Sequence, residues 1–290
     1  MSYGTRGVRF GGHQSFSAGQ PMTDDDLYRI APSIFATDKH ESRSAQYAYI
    51  PTFQIVAGLR KEGFVPVRAI QGKSRTEGKE EFTKHMIRFQ HPDYQNRTAL
   101  AGVAPEVVLM NAHDGTSSYR MLSGVFRSIC TNSMIVMEDG ATDVRVPHKG
   151  DVMSKVIEGS FEVLGESAIT LQKAEQWQGV RLLRDEAEIM AEAAHVLRFG
   201  ETPEDEKPAI KPIQLLRPRR TEDAETNLWN VHNVLQENMI RGGLHGYKKD
   251  ATGRTRHSTT REVKNIDGDV KLNRALWLLS HKMAELKRAA

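Results

Sequence analysis

A single cysteine, Cys130, in a chain of 290 residues excludes an internal disulfide framework and points to a reducing cytoplasm. No apolar run approaches the roughly 20 residues that cross a bilayer, so no membrane partner is expected. The first twenty residues, "MSYGTRGVRFGGHQSFSAGQ", are rich in Gly and Ser and lack the apolar block of a secretory signal. Charge of one sign is scarce too: 40 Lys and Arg stand against 37 Asp and Glu, a formal balance of +3. That balance permits nucleic-acid contact without demanding it, because where cations cluster matters more than their mean. Metal-site spacings such as Cys-x-x-Cys, His-x-x-x-His and His-Glu-x-x-His are missing. "QGKSR" at 71–75 is not a phosphate-binding loop, since the glycine required five positions before Gly72 is Val67. What is present, 39% hydrophobic and 27% charged residues, suits a soluble globular chain able to bury one large core or two modest ones.

The patterning predicts an α+β fold: an antiparallel sheet of about five strands, N-terminal helices, a long helical segment on one face and a C-terminal helical pair. Residues 1–20 read as a flexible arm. Thr23 followed by three aspartates is a helix start, and Pro32 limits that helix to about two turns. "YIPTFQIVAGLRKEGF" is a second helix, with Pro51 in its first turn and Gly63 at its stop. From Phe64 onward, "FVPVRAI", "FTKHMIRFQ", "EVVLMNAH", "SYRMLSGVFRSIC", "SMIVM" and "DVRVPH" are β-rich runs. Asp-Gly pairs at 114–115 and 139–140 signal turns, which makes 107–112 and 117–129 antiparallel partners. Helical spacing returns over 151–199, and Gly200 closes it. The core domain is therefore placed at 21–200 and a connector with four prolines at 201–220. A C-terminal helical region at 221–290, packed back on the core, completes the chain. Its last helix is expected to open on Asp269 as a cap, after an unusually long loop at 242–268.

Chemistry-bearing side chains concentrate in "NAHDGTSSYRMLSGVFRSICTN", residues 111–132. A Ser-His-Asp or Cys-His centre there fails on geometry, because His113 and Asp114 are neighbours at a tight turn where side chains diverge. No catalytic residues are assigned and no cofactor is implied. His85, His113, Asp114 and His148 come from separate strands and could meet at one sheet edge, which leaves a metal-dependent hydrolase or nuclease as the alternative. Cations are more organised. Lys84, Arg88, Arg120, Arg127, Arg145 and Lys149 lie on or beside strands, with Arg120 and Arg127 on opposite sides unless a bulge at 123–124 realigns them. Lys248, Lys249, Arg254, Arg256, Arg261 and Lys264 crowd the late loop, opposed only by Asp250 and Glu262. Such a loop suits sequence-independent contact with phosphates. With Tyr247 as its one aromatic of the stacking kind, it offers little for bases.

The stretches "APSIFA", "YIPT", "EGFVPV", "KHMIRF", "PEVVLMNAHDGTSSY", "GVFRSICTN", "VPHKG", "NLWNVHNVLQENMIRGGL" and "IDGDVKLNRALWLLS" together resemble a bacterial "phage/plasmid-like" family, catalogued as a domain of unknown function (DUF932-type). The resemblance runs from Leu27 to Leu286. It implies a plasmid or prophage setting and brings no catalytic residues. The order helix, strand meander, long helix is also similar to the core of phage-type single-strand annealing proteins. The expected function is a non-enzymatic accessory protein that binds DNA, single-stranded in preference, in recombination, annealing or replication, with a homo-oligomer left open. A third reading is a module for protein partners, docking through its final helices.

Overall fold

The computed structural model describes residues 20–37, 50–73, 82–95, 100, 102–113, 117–128, 132–135, 143–201, 208–249 and 252–289. The expected N-terminal arm up to residue 19, both Asp-Gly turns, Asp114 and Cys130 lie outside them. By its internal contacts the chain divides into two compact units, 1–171 and 172–290.

The first unit opens with α1 (Asp24–Ile30). Thr23 and Asp26 form a reciprocal capping box, and three aspartates sit where the helix dipole favours them. A short 3₁₀ turn at Pro32–Phe35 follows, then α2 (Thr52–Lys61). Gly63 ends α2 at φ 89°, and a Cβ there would come within 2.8 Å of His91 Nε2, so the reversal into the sheet needs glycine on both counts.

The strands β1 (Val65–Gln71), β2 (His85–Gln90), β3 (Val103–Asn111), β4 (Tyr119–Arg127) and β5 (Asn132–Ile135) form the expected antiparallel meander, in that order. The far edge of β4 is shared: β5 pairs with residues 124–127 and a short β6 (Val144–Val146) with residues 119–121. One irregularity occurs, between Pro66 and Arg68 on β1, where proline has no amide hydrogen for the ladder. On one face Ile87, Phe89, Val107, Leu109 and Met121 share a core with Ile55, Val56 and Leu59 of α2 and with Val152, Val156 and Val163 of α3 (Val152–Gln178). The opposite face is equally dry, with Met86, Val108, Met110 and Leu122 buried. That double burial explains why β3 reads "VVLM" rather than alternating apolar and polar.

The second unit holds α4 (Arg184–Phe199), α5 (Leu228–Arg241), β7 (His245–Lys249), β8 (Thr255–Thr259) and α6 (Ile266–Ala289). The indoles of Trp177 and Trp277 lie 4.4 Å apart and, with Trp229, are fully buried. Every residue of α5 from Leu228 to Met239 is buried, the polar ones included. Gln236 donates to Asn273 Oδ1 at 2.9 Å, His232 Nδ1 bonds Ser280 Oγ at 2.8 Å, and Glu237 receives Arg220 at 2.8 Å and Arg241 at 2.6 Å. A buried helix carrying that much polarity is tolerable only because such groups find partners.

Two expectations are corrected here. Residues 242–268 are not one long loop, because β7 and β8 pair antiparallel within them. Helix α6 begins at Ile266, with Asn265 Oδ1 accepting from the Asp267 amide, so Asp269 lies inside the first turn rather than capping it.

Candidate nucleic-acid interface

The cations expected to gather on the sheet do not make a common surface. Arg88 lies on the face of β2 opposite Ile87, and its guanidinium is 3.1 Å from Glu106 Oε2 with both side chains almost fully buried. Burial pushes the Glu106 carboxyl up, against the pull of Arg88. Arg120 holds Asp143 in a two-pronged contact of 2.5 and 2.9 Å, and Arg145 adds two bonds to the same carboxylate at 2.9 and 3.3 Å. Burial works against ionisation of Asp143, yet bonds from the two arginines hold its carboxyl below the usual range. The register of β3 with β4 runs unbroken from Val103↔Arg127 to Met110↔Arg120, so no bulge realigns Arg127 with Arg120 and they face opposite sides. Arg127 is buried, Lys84 is half-buried, and Lys149 is exposed in the bend after β6. A parity count could not see this, because both faces of β2, β3 and β4 are covered.

The three histidines of the metal alternative do meet, around a hydroxyl. Thr52, at the first turn of α2, lies 2.9 Å from His113 Nε2 and 3.0 Å from His85 Nε2. Tyr119 and Asn111 approach the same oxygen at 3.2 Å each, and Asn111 also bonds His148 Nε2 at 3.0 Å. His85 reaches Ser33 Oγ at 2.9 Å through its other nitrogen. Burial pushes the His85 imidazole down to about 3, with His113 adding to the effect, and burial lowers His148 as well. The Nε2 atoms of His85 and His113 are thus engaged by Thr52, and that of His148 by Asn111. Among the described residues no group of three or more His, Cys, Asp or Glu side chains could hold a metal ion.

The late cations fare differently. Lys248, Lys249, Arg254, Arg256, Arg261 and Lys264 are all exposed, the first four on or beside the ribbon of β7 and β8. Pairing puts Lys248 opposite Arg256 and Lys249 opposite Thr255. An isolated two-stranded hairpin is marginal in water, and this one is clamped at its root. The Gly243 amide donates to Thr260 O at 2.9 Å, and the Thr260 amide returns a bond to Leu244 O at 2.9 Å. Arg198 donates to Met239 O and Arg261 O, both at 2.8 Å, and Gln214 donates to His245 O at 2.9 Å. Gly246 is pressed so closely on Ala209 that a Cβ would fall 1.8 Å from its carbonyl oxygen.

The alternation of the ribbon brings together residues that the sequence reading passed over. His245, Tyr247 and Lys249 share a face with Thr259, His257 and Thr255. The rings of His245 and His257 stack at 5.2 Å and 27°, and Tyr247 meets His257 edge-on at 5.7 Å. Lys248 and Arg256 belong to the other face, along with Gly246.

An α+β chain with a five-strand antiparallel meander, a long following helix and an anchored basic ribbon defines the class by architecture. The chain belongs to the family described as "Domain of unknown function (DUF932)", which matches residues 39–277. It is 44% identical over 275 residues to the UPF0380 protein YafZ of Escherichia coli (strain K12), covering 95% of this chain and 96% of that one. To the UPF0380 protein YfjQ of the same strain it is 43% identical over equal shares of both chains. No solved structure matches. No helix among the described residues is long and apolar enough to cross a membrane.

Proposed function

We propose that this chain binds DNA through its phosphates, without strong sequence preference, as an accessory protein of plasmid or phage DNA metabolism such as recombination, annealing or replication. The observation that carries the reading is the β7–β8 ribbon, which holds Lys248, Lys249, Arg254 and Arg256 exposed on a backbone clamped at its root. Phosphate contacts come chiefly from such side chains and release condensed counterions, so affinity follows salt steeply. Side-chain hydroxyls of Thr255 and Thr259 on the ribbon supply further donors. Arg88 is buried on Glu106, and Arg120 and Arg145 share Asp143, so the reading leans on the ribbon more than on the sheet.

Fluorescence anisotropy of labelled oligonucleotides, titrated across salt, tests the proposal. Tight binding at low salt is expected, with a log–log slope that falls by about 0.7 for each ribbon cation removed against a single strand. No binding at low salt would end it, and so would an unchanged slope when Lys248, Lys249, Arg254 and Arg256 are all replaced by alanine.

A further inference from the structure

We propose that the aromatic face of the β7–β8 ribbon is a stacking site for unpaired bases, which makes the ligand single-stranded nucleic acid. This inference rests on the reading of the ribbon as a phosphate-binding element and adds the part of the nucleotide that phosphate contact leaves unread.

Three observations converge on that face. First, its rings form one strip: His245 and His257 lie 5.2 Å apart and nearly parallel, and Tyr247 joins His257 at 5.7 Å. The strip crosses both strands, so it is a property of the paired ribbon and not of either strand alone. Second, it is presented outward. Tyr247 is 67% exposed, while Trp177, Trp229 and Trp277 are each fully buried. Gly246 on the opposite face carries the contact with Ala209, which turns the rings away from the segment supporting the ribbon. Third, the strip is fixed in place. His245 Nδ1 bonds Thr259 Oγ1 at 3.1 Å, and the Gln214 side chain holds the His245 carbonyl at 2.9 Å. An exposed ring on a mobile loop would lose side-chain freedom on binding, and one on an anchored ribbon loses less.

The cations stand at the right distance for the rest of the nucleotide. Alternate residues on a strand are roughly 7 Å apart along one face, so Lys249 sits one step from Tyr247 on the ring face. A base laid on the exposed face of Tyr247 would bring its phosphate towards Lys249, with Lys248 and Arg256 on the reverse side within reach of the adjoining backbone. A duplex hides its base faces in the stack and could use only the cations. Every base has a π-face, so such a platform selects for strandedness and not for sequence.

A single strand carrying 2-aminopurine, whose fluorescence is quenched when it stacks, reads base contact directly. An abasic strand with the same number of phosphates reads backbone contact alone. The wild-type chain is expected to quench the probe and to bind the base-bearing strand more tightly than the abasic one. Tyr247→Ala should weaken the base-bearing complex about tenfold and remove most of the quench. It should leave the salt slope and abasic binding as they were, and Tyr247→Phe should restore both losses. If the wild-type chain binds both strands equally and Tyr247→Ala changes neither quench nor affinity, base stacking is wrong. A salt slope that still falls in Lys248→Ala/Lys249→Ala would then leave the phosphate reading standing. If neither strand binds at low salt, both readings fail together.

Discussion

Arg88 on β2 and Arg256 on β8 are both strand arginines in regular antiparallel pairs, yet they live in different electrostatic worlds. The side chain of Arg88 is 2% exposed and pressed on Glu106, in a strand whose residues are all buried. Arg256 is exposed on a ribbon of two strands. Residue type and spacing are the same, so the difference comes from what covers each sheet. A strand covered on both sides can keep a guanidinium only by giving it a carboxylate, because desolvating a lone charge costs several kcal/mol. The ribbon imposes no such desolvation, because Arg256 is exposed there. At these two positions, therefore, arginine is a buried structural part on β2 and an exposed side chain on the ribbon.

The sharpest way to break this comparison is to remove a partner on the covered side. Arg88→Ala strands the Glu106 carboxylate in the interior and should cost about 3–5 kcal/mol in a urea titration. Replacing both groups by apolar residues, as in Arg88→Met with Glu106→Leu, should recover most of that loss. A single Arg88→Ala variant as stable as the parent would mean that the pair is not the structural element described. Next in size is Thr52→Val. It deletes the hydroxyl that His85, His113 and Asn111 share, leaving buried polar groups short of a partner. A loss of about 1–3 kcal/mol in the same titration is expected.

Acid should expose the buried histidines of both units. Burial pushes His85 in the first and His232 in the second down to about 3, against 6.5 for a free imidazole. Between those values the unfolded chain binds more protons than the folded one, so stability rises with pH there and is lost as pH falls below about 6.5. The slope contributed by each group is at most about 1.4 kcal/mol per pH unit. Denaturation midpoints at neutral and mildly acid pH should show it, and His232→Gln should flatten it. A midpoint indifferent to pH over that interval would contradict the burial of these rings.

How far the sequence revealed this molecule depends on which physical signal was local. Thr23 and its aspartates, the stop at Gly63 and the runs that became β1–β6 were legible, because capping, turn chemistry and apolar patterning act over a few residues. The fate of the sheet arginines was not, since a charged residue on a strand reads as solvent-facing until the opposite layer is known. The meeting of His85, His113 and His148 around Thr52 and Asn111 depends on α2, three strand ends and the bend after β6 arriving at one point, and no spacing encodes that. The ribbon was nearly legible. "HGYKK" and "TRHST" stand on either side of Gly253, which has φ 79°. Counting Tyr247 as an isolated aromatic hid the pattern, because two of the three rings are histidines on facing strands.

The smallest expected effect completes the comparison from the exposed side. Lys248 and Lys249 support no core residue, and β7 is held by backbone pairing, by Gly246 on Ala209 and by the bonds at its root. Removing both amines takes away mutual repulsion on the ribbon as well as charge, so the change in folding free energy should stay within about 0.5 kcal/mol. The same double variant should shift the salt dependence of oligonucleotide binding, a readout blind to fold stability. A Lys248→Ala/Lys249→Ala chain that loses stability on the scale expected for Arg88→Ala would show that these side chains are structural after all. The contrast between a strand cation buried in an ion pair and the exposed cations of the ribbon would then be lost.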